Sequence, residues 1–147
     1  MASRFLYVTY IRTTPERLWD ALTKPEFTKA YWRGTWHDCD WQVGSSWQLR
    51  FPDGRLGDSG SVVECDPPRR LVLSWRNEFR PELRTEGYSR ATIELEPMDD
   101  TVRLTVLHEI DLDGSKFIEA VSTGWPSILS SLKSLLETGE ALDHTRL

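Results

Sequence analysis

The spacing of apolar positions changes period twice along this chain. Residues Arg4 to Arg12, rich in Phe, Tyr, Val, Thr and Ile, read as a strand. Phe5, Leu6, Tyr7 and Val8 are all apolar and leave open which face points inward. A helix start follows at Thr13-Thr14-Pro15-Glu16, with a threonine cap, proline in the first turn and glutamate three residues on from Thr13. Leu18, Trp19, Ala21 and Leu22 give that helix its apolar side. A second start at Thr23-Lys24-Pro25-Glu26 repeats the spacing, with Phe27, Ala30 and Tyr31 on its buried face.

From Thr35 to Val106 the period becomes two. Trp47, Leu49 and Phe51 alternate with Gln48 and Arg50, and Pro52-Asp53-Gly54 is a turn. Ser61 to Cys65 reads as the next strand, closed by Asp66-Pro67-Pro68. Leu71, Leu73 and Trp75 form the following apolar face, and 77–87 reads as a polar loop. Ala91, Ile93 and Leu95 continue the pattern to a turn at Pro97-Met98-Asp99-Asp100. Val102, Leu104, Val106 and His108 then share one side. Short alternating strands with turns every ten or so residues predict an antiparallel sheet with one buried face.

After Asp111-Leu112-Asp113-Gly114 the spacing turns helical: Phe117, Ile118, Val121, Trp125, Ile128, Leu129, Leu132, Leu135 and Leu136 recur at three- and four-residue steps. Gly124 and Pro126 interrupt them, so either a kink or a short turn is expected there, with the main helix from about Thr123 to Thr138 and a stop at Gly139. The pattern as a whole predicts an α+β fold: a curved antiparallel sheet wrapped around a long C-terminal helix, with two short helices after the first strand. Residues 1–139 read as one domain, and 140–147 as a frayed tail.

Composition narrows this picture. The 147 residues, 39% hydrophobic and 28% charged, suit one globular domain with a real core. A net charge of −5 argues against nucleic acid as a partner. No apolar run approaches the roughly 20 residues that cross a bilayer, and the first segment reads as a strand instead of a signal peptide. No membrane insertion is therefore expected, and a cytoplasmic location follows. Cys39 and Cys65 stand far apart with no CxxC spacing and read as reduced thiols. The seven tryptophans, Trp19, Trp32, Trp36, Trp41, Trp47, Trp75 and Trp125, are the outlying number. Composition does not separate a bulky core from an aromatic-walled pocket.

The order and spacing of several motifs resemble a known family. They are Thr14-Pro15-Glu16-Arg17-Leu18-Trp19-Asp20-Ala21-Leu22-Thr23-Lys24-Pro25-Glu26, Trp32, Val43-Gly44, and Val62-Val63-Glu64-Cys65-Asp66-Pro67-Pro68-Arg69-Arg70-Leu71. Trp75, the run Thr101 to His108, and Gly124-Trp125 complete the set. The chain resembles the C-terminal domain of the activator of the heat-shock protein 90 ATPase, within the helix-grip superfamily of START and birch-pollen-allergen-like (SRPBCC) domains. The resemblance implies a cavity between sheet and last helix. Functions known in that superfamily include lipid or polyketide binding, aromatic-ring cyclisation, toxin sequestration and chaperone activation. No catalytic set travels with it.

Three motifs that look chemical do not hold up. Gly57-Asp58-Ser59-Gly60 spells the loop of a serine protease, but no base or orienting acid accompanies it in a matching context. Ser61 also stands where G-x-S-x-G needs its second glycine. Asp111-Leu112-Asp113-Gly114-Ser115 begins like a calcium loop but has Lys116 at the sixth position and Ser122 at the twelfth. His37, His108 and His144 show no metal spacing, and neither cofactor nor metal is expected.

The resulting expectation is a non-catalytic binder of an apolar or aromatic small molecule. Its walls would be Trp47, Leu49, Phe51, Trp75, Leu104, His108, Trp125 and Leu129, with Trp32 at the rim. His108 would be a polar handle at the mouth. One alternative is a cyclase, dehydratase or hydrolase in the same space, for which His108 and Glu64 are the nameable acid–base candidates. The other is a stress-response adaptor that meets a chaperone through an exposed apolar patch. A dry pocket even of about 300 Å3 would cost roughly 7 kcal/mol. Ligand or water must then fill it, or Trp47, Trp75, Trp125 and Phe51 must largely close it.

Overall fold

The computed structural model describes residues 2–142. Strand β1 (Ser3–Ile11) resolves the open question of facing. Phe5, Tyr7 and Ile11 turn toward the core, while Leu6, Val8 and Tyr10 are exposed. Helices α1 (Pro15–Thr23) and α2 (Pro25–Tyr31) follow. Their caps differ from expectation. Thr14, not Thr13, caps α1, its Oγ1 accepting from Arg17 N at 3.2 Å. Thr23 donates to the Trp19 carbonyl at 2.8 Å, and Lys24 occupies the cap of α2 without a side-chain bond. A proline in the first turn starts each helix, since its fixed φ is already helical and its missing N–H is one the helix leaves unpaired.

Strands β2 (Trp36–Cys39), β3 (Ser46–Arg50), β4 (Leu56–Asp66) and β5 (Arg70–Asn77) form the first part of the meander. A short helix, α3 (Pro81–Arg84), then lies inside the segment expected to be loop. Asn77 sets it up: its Oδ1 accepts from Phe79 N and Arg80 N at 3.2 and 2.8 Å. Strands β6 (Ser89–Met98) and β7 (Thr101–Ile110) complete one antiparallel sheet of order β1-β7-β6-β5-β4-β3-β2. Gly60 in β4 is dictated by a close approach, since a Cβ there would stand 1.8 Å from the Ser74 carbonyl oxygen. The Ser74 hydroxyl accepts from Ser61 N at 2.8 Å beside that contact, where the β4–β5 register goes on to shift. The GDSG motif is therefore strand, with its second glycine serving packing.

Helix α4 (Lys116–Thr138) runs unbroken through Pro126, starting a full two turns before the expected Thr123. Proline in a helix interior costs about 3 kcal/mol. Phe117, Ile118 and Trp125, all buried, offset it. The start is fixed from outside the helix. Ser115 caps Ile118 N at 3.1 Å, and the Glu86 carboxylate accepts from Ser115 Oγ, Lys116 N and Phe117 N. At the other end Gly139 takes φ 88° and donates to the Leu135 carbonyl. Glu140–Leu142 return along the helix, where Ser131 Oγ accepts from Leu142 N at 3.1 Å. Residues 143–147 of the expected tail lie outside the described residues.

The sheet curls around α4 in a helix-grip, α+β arrangement. Ile11, Leu18, Leu104, Leu129 and Leu132 form a solvent-free aliphatic centre. Among the described residues, no helix is long and apolar enough to cross a membrane.

Candidate functional site

The indoles collect at one end of the grip. Trp32 follows α2 at its C-cap, Trp47 is on β3, Trp75 on β5 and Trp125 on α4. Trp32 stacks near Trp75 at 6.3 Å and meets Trp125 edge-on at 5.5 Å. Trp75 meets Trp125 edge-on at 5.6 Å and lies 4.3 Å from Trp47. Such edge-to-face contacts bring the positive rim of one ring to the negative face of the next.

Two buried histidines hold this cluster. Trp47 Nε1 donates to His37 Nδ1 at 2.9 Å, and Trp125 Nε1 donates to His108 Nδ1 at 3.1 Å. An imidazole that accepts at Nδ1 carries its proton on Nε2. His108 Nε2 meets Ser89 Oγ at 2.8 Å, and the Ser89 hydroxyl donates to the Trp75 carbonyl at 2.8 Å, so the chain of bonds closes. His37 Nε2 is buried without a hydrogen-bond acceptor, among the Trp32 and Trp41 rings that meet it edge-on at 5.0 and 5.5 Å. Burial pushes both imidazoles down to about 3.

Beside the cluster is a cavity of about 220 Å3 between the sheet and the first half of α4. Trp32, Leu49, Trp75 and Trp125 line it, with Leu83, Phe117, Val121 and Ile128. Arg33, Phe79 and Arg80 are exposed at its mouth. Of the nine residues named from the sequence, those first four line the space. Trp47, Leu104, His108 and Leu129 are fully buried behind it. Phe51 packs edge-on against Phe79 at 5.0 Å and so supports the mouth from outside. His108 is not at the mouth: it has no exposed surface, because it continues the inward alternation of β7 against the Trp75, Phe117 and Trp125 rings. Glu64 is on the outer face, 3.0 Å from Arg70, and does not line the cavity.

Sequence reasoning missed Asp58, the one carboxylate in the lining among the described residues. It occupies a row across three strands, paired with Leu49 on β3 and Asn77 on β5. Only 8% of its surface is exposed, and among the described residues no lysine or arginine forms an ion pair with it. Burial pushes its carboxyl up to about 7; the Trp75 indole opposes the shift by hydrogen bonding, and the charge of Glu78 adds to it. The available signal was a lone acid in Gly57-Asp58-Ser59-Gly60, just ahead of the strand read from Ser61 to Cys65. It went unread because it sat inside a false protease motif. Among the described residues, no group of three or more His, Cys, Asp and Glu is placed to hold a metal, and Cys39 and Cys65 are free thiols.

A family model described as "Activator of Hsp90 ATPase homolog 1-like protein" matches residues 12–137. Protein MLL2253 from Mesorhizobium loti has a similar structure, with TM-score 0.76 and 22% identity over 92% of this chain and 97% of that one. The Aha1 dimer from Colwellia psychrerythraea gives TM-score 0.73 and 21% identity over 95% and 99% of the two chains. An HSP90 activator from Plasmodium falciparum gives 0.72 and 22% over 90% and 95%. No curated protein sequence matches the chain.

Proposed function

From the premise that this chain belongs to the Activator of Hsp90 ATPase homolog 1-like family, we propose that it binds a small, largely apolar or aromatic molecule in the cavity between the sheet and α4. One observation carries this reading: a cavity of about 220 Å3, walled by three indoles and aliphatic side chains, remains open where a packed core would be filled. Flat rings can stack on the tryptophans, and a few polar groups set orientation. The test is displacement of a hydrophobic dye by a panel of aromatic compounds, comparing wild type with Val121→Phe, which fills the space from α4. Saturable binding lost in the variant supports the reading. No response across the panel from the wild type would sink it.

A second reading, activation of a chaperone ATPase, is favoured by a different surface. Leu6, Val8 and Tyr10 are 61%, 43% and 47% exposed in a row on the outer face of the edge strand β1. Such a patch suits a protein partner, and one structural relative is an HSP90 activator. Stimulation of a purified Hsp90 ATPase, abolished by Leu6→Asp with Val8→Asp, would support it. An unchanged ATPase rate would remove it.

A further inference from the structure

We infer that the cavity recognises a small organic ammonium ion, with the Asp58 carboxylate accepting from its N–H and the surrounding indoles enclosing the apolar body. The inference rests on the small-molecule reading above and makes it chemically specific. A carboxylate in so enclosed a place is costly unless a counter-charge meets it. Among the described residues none is supplied: Asp58 has the Trp75 indole beside it, Leu49 and Asn77 as flanking strand partners, and no lysine or arginine in ion-pair contact.

Among the described residues, the charged groups on the elements around Asp58 have the following partners. Glu78 follows Asn77 and is held by Arg76 and Arg84 at 2.5 and 3.0 Å. Arg80, just before α3, is paired with Glu82 at 2.8 Å. Arg33, after α2, is exposed at the mouth and forms no ion pair with Asp58. The α4 residues across the cavity, Phe117, Val121, Gly124, Trp125 and Ile128, carry no charge. An anionic ligand head would meet Asp58 as a like charge, and a hydrocarbon would leave the carboxylate unpaired. An ammonium ion completes the site by a charge-assisted hydrogen bond and by attraction to aromatic faces. At about 220 Å3 the space falls below the 300–1,000 Å3 typical of drug-sized ligands. A phenylalkylamine fits that scale better than a lipid does.

Three probes with one phenyl body separate the possibilities: 2-phenylethylamine, 2-phenylethanol and phenylacetate, titrated calorimetrically at pH 8 and pH 5.5. At pH 8 the amine should bind about tenfold or more tighter than the alcohol, as a hydrogen bond to a charged group implies, with phenylacetate weakest. Below pH 7 the Asp58 carboxyl takes up a proton, so the amine's advantage should shrink by about tenfold per pH unit. Asp58→Asn should bring amine and alcohol to equal affinity. If the alcohol binds and the amine binds no better at pH 8, or if Asp58→Asn keeps the preference, the ammonium assignment is overturned while small-molecule binding stands. If none of the three binds, both fall. Should Asp58→Asn not fold, Asp58→Ser takes its place, an undiminished preference for the amine overturning the assignment.

Discussion

The two ends of the grip solve the same packing problem with different side chains. Around β1, β7 and the second half of α4, Ile11, Leu18, Leu104, Leu129 and Leu132 fill the interior completely. Around β3, β4, β5 and the first half of α4, indoles and imidazoles do the filling, and a cavity is left beside them. Branched aliphatic chains have compact shapes and few constraints on direction, so they close to crystal-like density. An indole is a rigid plate whose N–H wants a partner, and it accepts a restricted set of angles. Here two of those N–H groups find histidines, and Asp58 stands beside the indole of Trp75. The rings are held by hydrogen bonds at their edges, and space remains between their faces and α4. The aliphatic end sets stability, and the aromatic end retains room for function.

The adjacent pair Leu129 and Ile128 tests this contrast most directly. Leu129→Ala, in the closed end, should cost about 3–4 kcal/mol in urea unfolding, as the methyl groups leave a void. Ile128→Ala, which lines the existing cavity, should cost about 1–2 kcal/mol because the vacated space joins one already open to solvent. Equal losses would erase the distinction between the ends.

Acid should destabilise through the aromatic end next. His37 and His108 sit at about 3 in the folded protein, below their ordinary value, so the unfolded chain takes up protons first. Their contribution is fully present above about pH 6.5 and is lost as pH falls toward 3, at up to about 1.4 kcal/mol per pH unit for each ring. Unfolding free energy measured from pH 7 to pH 5 should fall more steeply than for His37→Gln. A slope unaffected by the substitution would show that His37 does not titrate as buried.

Asp58 acts with the opposite sign. Its folded value, raised to about 7, favours the protonated form in the native state, so its cost is absent below about pH 4 and complete above pH 7. Asp58→Asn should therefore stabilise the protein by about 2 kcal/mol at pH 8 and by almost nothing at pH 4. A destabilised variant at pH 8 would mean that the carboxylate is structurally satisfied. The smallest effect belongs to the mouth: Phe79, half exposed, should tolerate alanine within about 0.5 kcal/mol while altering dye access to the cavity.

Much of this was readable in advance, for identifiable reasons. Alternation along β5 and β7 named the inward faces, because a strand's side chains must point to opposite sides whatever surrounds them. The leucine spacing of α4 named the helix that the sheet wraps. That the first turns of α4 join the rest without a break at Gly124 and Pro126 was not legible, since Glu86, 30 and 31 residues away from the amides it accepts from, helps to cap them. The facing of β1 was equally hidden, because all its apolar residues look alike until β7 pairs with it.

At the candidate site the division is sharper. The sequence by itself determined that Trp47, Trp75 and Trp125 would face the sheet–helix space, with His108 on the inward side of its strand, because period and chain order settle which residues share a face. Only the tertiary structure decided that Trp47 and His108 lie behind the cavity while Trp32, Trp75 and Trp125 border it. It alone placed Asp58 in the lining. Depth within a curved sheet, and the partner a buried carboxyl lacks, depend on how neighbouring strands approach one another, and no local pattern along a single strand carries that information.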